Sequence, residues 1–335
     1  MSSPHEQAQK SEQLKVGSLT VSPGSLECGS LTCAWLADSS ALEMPLIVVN
    51  GAYDGPRLWV NSTMHGPEVP GIEVIRRFVR EQIDPLQLHG SILAAPIASP
   101  LAYRAATYFT PVDGINMNMV FGGGSYLPSI THRIGRFLYE IIETCDCVID
   151  LHANPDPAMV FTIVPQGEGD VIDKSLDLAE CFGVTTIRDL VNKSGLVDKV
   201  ISEGKPSLVF ELTSWRHIDE DAVAIGVEGL LNVCSKLGML DRQEQHVECA
   251  RTPAVNGRLG RLEIFSDKGG IVSFTKSRGD KVHAGELLAL IRNPYGDVEE
   301  EIHSPVDGWL LAYPMMQNQS AYTGETVVYL AVPLA

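Results

Sequence analysis

The sequence is short of positive charge: 25 Lys and Arg stand against 42 Asp and Glu, for a formal net charge of -17. A surface of that sign repels a phosphate backbone and an anionic membrane face, so neither nucleic acid nor membrane is an expected partner. No apolar run approaches the ~18 residues of a membrane-spanning helix. The polar opening MSSPHEQAQKSEQLK also lacks the apolar stretch of a secretion signal. Cysteine pairing is missing too. The seven cysteines are dispersed, odd in number and without a C-x-x-C spacing, the pattern of reduced thiols in a cytoplasmic chain. Cys145 and Cys147 read as small apolar residues leading into a strand. Internal repeats and low-complexity linkers are absent as well.

What is present is 44% hydrophobic residues over 335 positions, enough to bury one large core and a smaller one. After a tail expected to be disordered over residues 1–15, apolar strand patterns alternate with helical ones as far as residue 242. "PRLWVNST" reads as a buried strand, and "GIEVIRRFVREQI" as a helix with Ile72, Ile75, Phe78 and Val79 on one face. "GSILAAPIA", "CVIDLH" and "SLVFEL" read as further strands, and "SITHRIGRFLYEIIETC" and "DAVAIGVEGLLNVCSKLGML" as helices. This alternation predicts an α/β fold, a mixed but mainly parallel sheet with helices on both faces. Over residues 243–335 short strands divided by Gly, Pro and Asp predict a small all-β domain.

The candidate chemistry lies at strand ends, where open α/β sheets bind ligands. His65 and Glu68 in "HGPE" follow one strand, His152 ends "CVIDLH", and Glu211 ends "SLVFEL". The first pair alone is a weak signal. Two imidazoles and two carboxylates at three strand ends form a constellation, because each puts a costly polar group beside an apolar strand. Two His and one carboxylate are the protein ligands of a catalytic zinc site with an open position. Asp150 shares a strand face with His152, where it either orients an imidazole or plays a structural role.

These motifs, in this order, resemble the succinylglutamate desuccinylase/aspartoacylase family, which has the zinc carboxypeptidase fold. "HGPE" matches the family's H-G-x-E motif, "DLH" its second-histidine motif and "FEL" the segment of its general base. The resemblance runs from about Asn50 to the C-terminus. It implies one Zn2+ per chain held by His65, Glu68 and His152, with Glu211 as catalytic base. It also implies hydrolysis of a small-molecule amide substrate and self-association into a homo-oligomer. A carboxypeptidase acting on peptides and a noncatalytic ligand-binding paralogue are the alternatives.

The segment Ser99 to Gly123 resembles the family's substrate loop but departs from it. Ser99 stands for the leading Asn, Tyr108 and Met119 for its two arginines, and Gly122 for Pro, while Asp113, Gly114, Asn116, Asn118 and Phe121 are retained. An uncharged Tyr and Met cannot make a bidentate pair with a carboxylate. The resemblance with those losses therefore implies a substrate less acidic than N-acetylaspartate or succinylglutamate. Its binding is expected at Tyr108, Asn118, Met119 and Phe121 in a less polar pocket, with Tyr108 or Arg104 assisting at the oxyanion. "FGGGS" reads as a flexible element and gate. The stretch "GGIVSFTKSRGDKVHAGELLALI" resembles the β-hammerhead of biotinyl and lipoyl carriers. Tyr295 falls near the position of the carrier lysine, which implies a structural or gating role instead.

Overall fold

The computed structural model describes residues 9–122, 129–155, 158–189, 195–247, 258–315 and 319–334. The chain begins with β1 (Leu14–Val16) and β2 (Leu19–Val21), a two-stranded ladder. There follow β3 (Ser25–Trp35), β4 (Ala41–Asn50), β5 (Tyr53–Ser62), α1 (Pro70–Arg77), β6 (His89–Ala95), α2 (Pro100–Ala105) and α3 (Ile130–Ile142). Next come β7 (Cys147–Asn154), β8 (Phe161–Pro165), α4 (Asp170–Glu180), β9 (Thr185–Asp189), α5 (Leu196–Ser202), β10 (Ser207–Thr213) and α6 (Glu220–Lys236). The C-terminal part contributes β11 (Arg258–Phe265), β12 (Gly270–Phe274), β13 (Lys281–Val282) and β14 (Leu287–Arg292). It ends with β15 (Val298–His303), β16 (Gly308–Ala312), β17 (Ser320–Ala321) and β18 (Thr326–Pro333).

Twelve of these strands form one mixed sheet, in the order β13-β16-β18-β11-β9-β8-β10-β7-β5-β6-β4-β3. Its centre, β10-β7-β5-β6, is parallel. Every residue of β7 is buried, as a continuous apolar strand covered on both faces requires. One face packs Val74, Ile75 and Phe78 around α1 with Leu176 of α4 and Val223 and Leu230 of α6. The other packs Ile134, Leu138 and Ile142 of α3 with Leu196 and Val200 of α5. The expected α/β architecture with helices on both faces is present.

The structure corrects three expectations. Residues 9–15 are not a disordered tail: Asp54 N–H donates to the Gln9 carbonyl, Ser11 N–H donates to that of Ala52, and Asn50 donates to that of Glu12. The apolar face running through "GIEVIRRFVREQI" does not hold one helical geometry, because α1 passes into a π-helical turn at Phe78–Gln82. That turn keeps Phe78 and Val79 inside, while Val74 rather than Ile72 is the fully buried residue of the first turns. Finally, the C-terminal strands are not an appendage to a finished sheet. β11 pairs in parallel with β9 (Leu259 opposite Ile187), so β11, β18, β16 and β13 extend the main sheet. Only β15-β14-β12-β17 form a separate small sheet, which closes a second core around Val272, Leu288, Ile291 and Leu330. A third cluster, with Phe161 and Ile163 against Leu259, Leu311 and Ala331, joins the two parts.

Candidate active site

Three neighbouring parallel strands carry the site. Asn61 of β5 lies beside Asp150 of β7, and His152 of β7 lies beside Glu211 of β10. Alternation then puts Asp150, His152 and Asn154 on one face of β7, with Leu151 and Ala153 turned into the opposite core. After β5 the chain turns through Thr63, at φ 60, into the loop that holds His65 and Glu68. Gly66 is demanded there by space: a Cβ would come within 2.0 Å of the Ala102 carbonyl oxygen. Its N–H donates to the Thr107 carbonyl at 2.9 Å, which seats the His65–Glu68 loop against the segment after α2. Pro70 opens α1 directly behind it, where a missing N–H costs nothing.

His65, Glu68 and His152 are buried, and one ligating atom from each lies within 4.8 Å of the others. His65 Nδ1 is 2.8 Å from Glu68 Oε1, and His152 Nδ1 is 3.0 Å from Glu68 Oε2. The outer nitrogens are held from behind, His65 Nε2 by Asn116 Oδ1 at 2.9 Å and His152 Nε2 by Asp150 Oδ2 at 2.9 Å. Behind Asp150, Asn61 Nδ2 donates to Oδ1 at 2.6 Å, and Trp59 donates to Asn61 at 2.8 Å. Such outer partners fix ring orientation and raise ligand basicity. Glu68 Oε2 lies near His152 without hydrogen-bond alignment and is otherwise unsatisfied. A buried carboxylate with one oxygen in that condition, and one imidazole nitrogen turned toward each of its oxygens, fits a bound cation.

Electrostatics point the same way. Burial pushes the Glu68 carboxyl up, but the imidazoles of His65 and His152 outweigh it and hold it at about 2. Burial disfavours the charged form of His152, yet Asp150 and Glu68 raise it well above the usual imidazole range. The pocket thus favours positive charge at its centre. Glu211 behaves differently: burial, opposed by His152 and reinforced by Glu68, raises it to about 7. Asn154 Nδ2 donates to Glu211 Oε2 at 2.9 Å.

All four groups open onto one cavity of about 360 Å³. Tyr108, Asn118 and Met119, from the loop expected to bind substrate, line it, and Tyr108 stacks on the His65 ring with centroids 3.8 Å apart. Burial holds the Tyr108 phenol well above its ordinary range, so at neutral pH it is protonated and can donate. Two other loop residues do not reach the cavity. Arg104 is exposed on α2, on the side of Cys33, where Tyr103, Arg104 and Ala105 all face outward while Ala102 is buried. Phe121 is 6% exposed and packs in the core beside Tyr139. Residues 123–128, most of "FGGGS", lie outside the described residues.

The pocket mixes apolar surface with charged groups. Arg261 and Glu263 of β11, with Glu325, Thr326 and Tyr329 at β18, form one wall, and Asp198 of α5 stands on another. Asn154 was legible in principle, two residues beyond His152 on one strand face. Arg261 carried no local signal, since its place depends on the β9–β11 pairing.

A buried His-Glu-His cluster at the carboxyl ends of parallel strands, with a carboxylate near pKa 7 in the same cavity, defines a metal-dependent hydrolase of the amidohydrolase and deacylase class. Residues 54–237 match the succinylglutamate desuccinylase/aspartoacylase catalytic domain, and the chain belongs to that family. It is 23% identical over 307 residues to an N-alpha-acetyl-L-2,4-diaminobutyric acid deacetylase of Halomonas elongata, covering 87% of this chain and 86% of that protein. Among solved structures it resembles the product-bound ectoine utilization protein EutE (DoeB) of Ruegeria pomeroyi (TM-score 0.82, 20% identity, 97% and 99% coverage). It also resembles an aspartoacylase family protein of Mesorhizobium loti (TM-score 0.76, 25% identity, 94% and 96% coverage). No helix among the described residues is long and apolar enough to cross a membrane.

Proposed function

We propose that this protein is a zinc-dependent deacylase that hydrolyses the amide bond of a small N-acyl amino compound, with Glu211 as its general base. The observation that carries the reading is the pairing of Glu211 beside His152, at the mouth of a cluster whose three ligating atoms converge. The donor set, two imidazoles and one carboxylate, is that of an open catalytic zinc site. When bound, the ion supplies Lewis acidity and lowers the pKa of water.

The chain's own residues account for the remainder. Asp150 and Asn116 hold the two imidazoles with their Nδ1 atoms inward. Glu211, poised near 7, takes the proton from an attacking water and returns it to the departing amine. The protonated Tyr108 hydroxyl is the loop's candidate donor to the oxyanion, in the place where the family carries arginine. Asp198, Glu263 and Glu325 disfavour a substrate with two carboxylates, which supports a compound less acidic than N-acetylaspartate or succinylglutamate. The Halomonas relative's named substrate is of that less acidic kind.

The test is turnover of an N-acyl amino acid panel by zinc-loaded protein, set beside Glu211→Gln. The variant is expected to retain its metal and lose at least about 10³-fold in kcat, toward the upper end of general-base contributions. Near-normal turnover by the variant removes Glu211 from the role. Turnover confined to peptides with a free C-terminus replaces the deacylase with a peptidase.

A further inference from the structure

The cavity's cationic side chain comes from the far end of the chain. Among the described residues that line it, Arg261 is the sole Lys or Arg. It is 9% exposed, its guanidinium lies 4.8 Å from the centre of the Tyr329 ring, and Nη2 is 3.5 Å from Glu263 Oε1. β11 and β18 pair around it, with Arg261 opposite Ala331 and Glu263 opposite Tyr329. Its charge reaches Glu211, whose ionised form it favours. The guanidinium therefore acts inside the same buried space as the reacting groups, held by stacking that limits the freedom it has to lose on binding.

Resting on the deacylase reading above, we propose that Arg261 is the residue that receives the substrate's carboxylate, and that the substrate is an N-acyl α-amino acid with one carboxylate only. The substrate loop has Tyr108 and Met119 where its family has arginines, so it offers no fork for a carboxylate. A planar guanidinium does, and it lines the same cavity of about 360 Å³ as the metal cluster. Glu263 and Glu325 on the same wall repel a second carboxylate and tolerate a neutral or ammonium-bearing side chain. Specificity thus arrives from β11, while hydrolysis is done at the ends of β5, β7 and β10.

The experiment compares Nα-acetyl-L-2,4-diaminobutyrate, its α-carboxamide and N-acetyl-L-aspartate as substrates of the zinc-loaded full-length chain. Arg261→Met, Arg261→Lys and Glu263→Gln are tested beside the wild type. The wild type is expected to take the carboxylate with a KM about 10- to 100-fold below the carboxamide's, the scale of charge-assisted hydrogen bonding to one group. Arg261→Met should raise KM for the carboxylate by that factor while the carboxamide's KM and the zinc content stay as in the wild type, with Arg261→Lys in between; any kcat change from the lost charge beside Glu211 should be shared by both substrates. Glu263→Gln should improve N-acetylaspartate selectively. An equal rise in KM for acid and amide, or a wild type indifferent to the carboxamide change, overturns the assignment while leaving the deacylase intact. If zinc-loaded wild type cleaves no N-acyl amino acid, the deacylase reading itself fails. Should Arg261→Met not fold, calorimetric binding of the acid and the carboxamide to Glu211→Gln decides the matter, equal affinities refuting it.

Discussion

The edge formed by β5, β7 and β10 and the wall formed by β11 and β18 meet in one cavity yet are built on opposite terms. The first is a set of buried polar groups each held by another: Trp59 to Asn61, Asn61 to Asp150, Asp150 to His152. The second is a patch of opposite charges, Arg261 with Glu263 and Glu325, laid over an aromatic ring. A closed network of buried polar contacts suits a geometry that must not vary, because breaking any link leaves a desolvated partner behind. A wall assembled from another part of the chain can change without disturbing it. On the proposed reading, the difference assigns reaction type and substrate choice to separate segments.

That division predicts a graded set of outcomes. The harshest way to break it is to end the chain at residue 247. Burying side chains the size of Phe161, Ile163, Leu259 and Leu311 stabilises by about 1.5–3 kcal/mol each. Their joint loss approaches the ~5–15 kcal/mol net stability of a domain. It also bares the β9 edge. The truncated chain is expected to be insoluble or unfolded by circular dichroism. A soluble, zinc-loading fragment would mean that the catalytic edge is an independent unit after all.

Next in size, His152→Ala should remove zinc, read as metal per chain by mass spectrometry, together with turnover. Full metal content in that variant would dismiss His152 as a ligand. A smaller effect tests the network's reach. Burial holds Glu211 at about 7, and a base must be ionised, so kcat/KM should fall about tenfold per unit as pH drops below that value. Asn154→Leu removes a donor that favours the carboxylate and should move this limb upward by about one unit. A limb that stays in place means that Asn154 does not tune the base. The smallest effect belongs to Tyr295, 91% exposed at the turn between β14 and β15. Tyr295→Ala should leave kcat, KM and melting temperature unchanged, and a lost activity would give the hammerhead-like tip a functional role.

How much was legible follows from how local each signal is. His65 and Glu68 lie three residues apart, and His152 and Glu211 each end an apolar strand, so residue type and position within one element sufficed to group them. Asp150 was readable from strand alternation alone. Arg104 misled because closeness in sequence to a substrate loop says nothing about which way a short helix turns it. Phe121 misled because an aromatic in that loop serves equally well as core. The ordered residues 9–15 were illegible since their partners, Asn50, Ala52 and Asp54, belong to β4 and the chain just after it.

By itself the sequence determined the alternating α/β core, the metal ligands and the facing carboxylate, for these depend on periodicities of two and 3.6 residues and on polar residues at strand ends. Tertiary structure alone decided that the last strands join the main sheet and put Arg261 where the loop has no arginine. Strand pairing between segments some seventy residues apart, as in Leu259 beside Ile187, leaves no periodic trace in the chain. It is selected by the burial of Ile163, Ile187, Leu259 and Ala331 together, a choice that exists only once the sheet has formed.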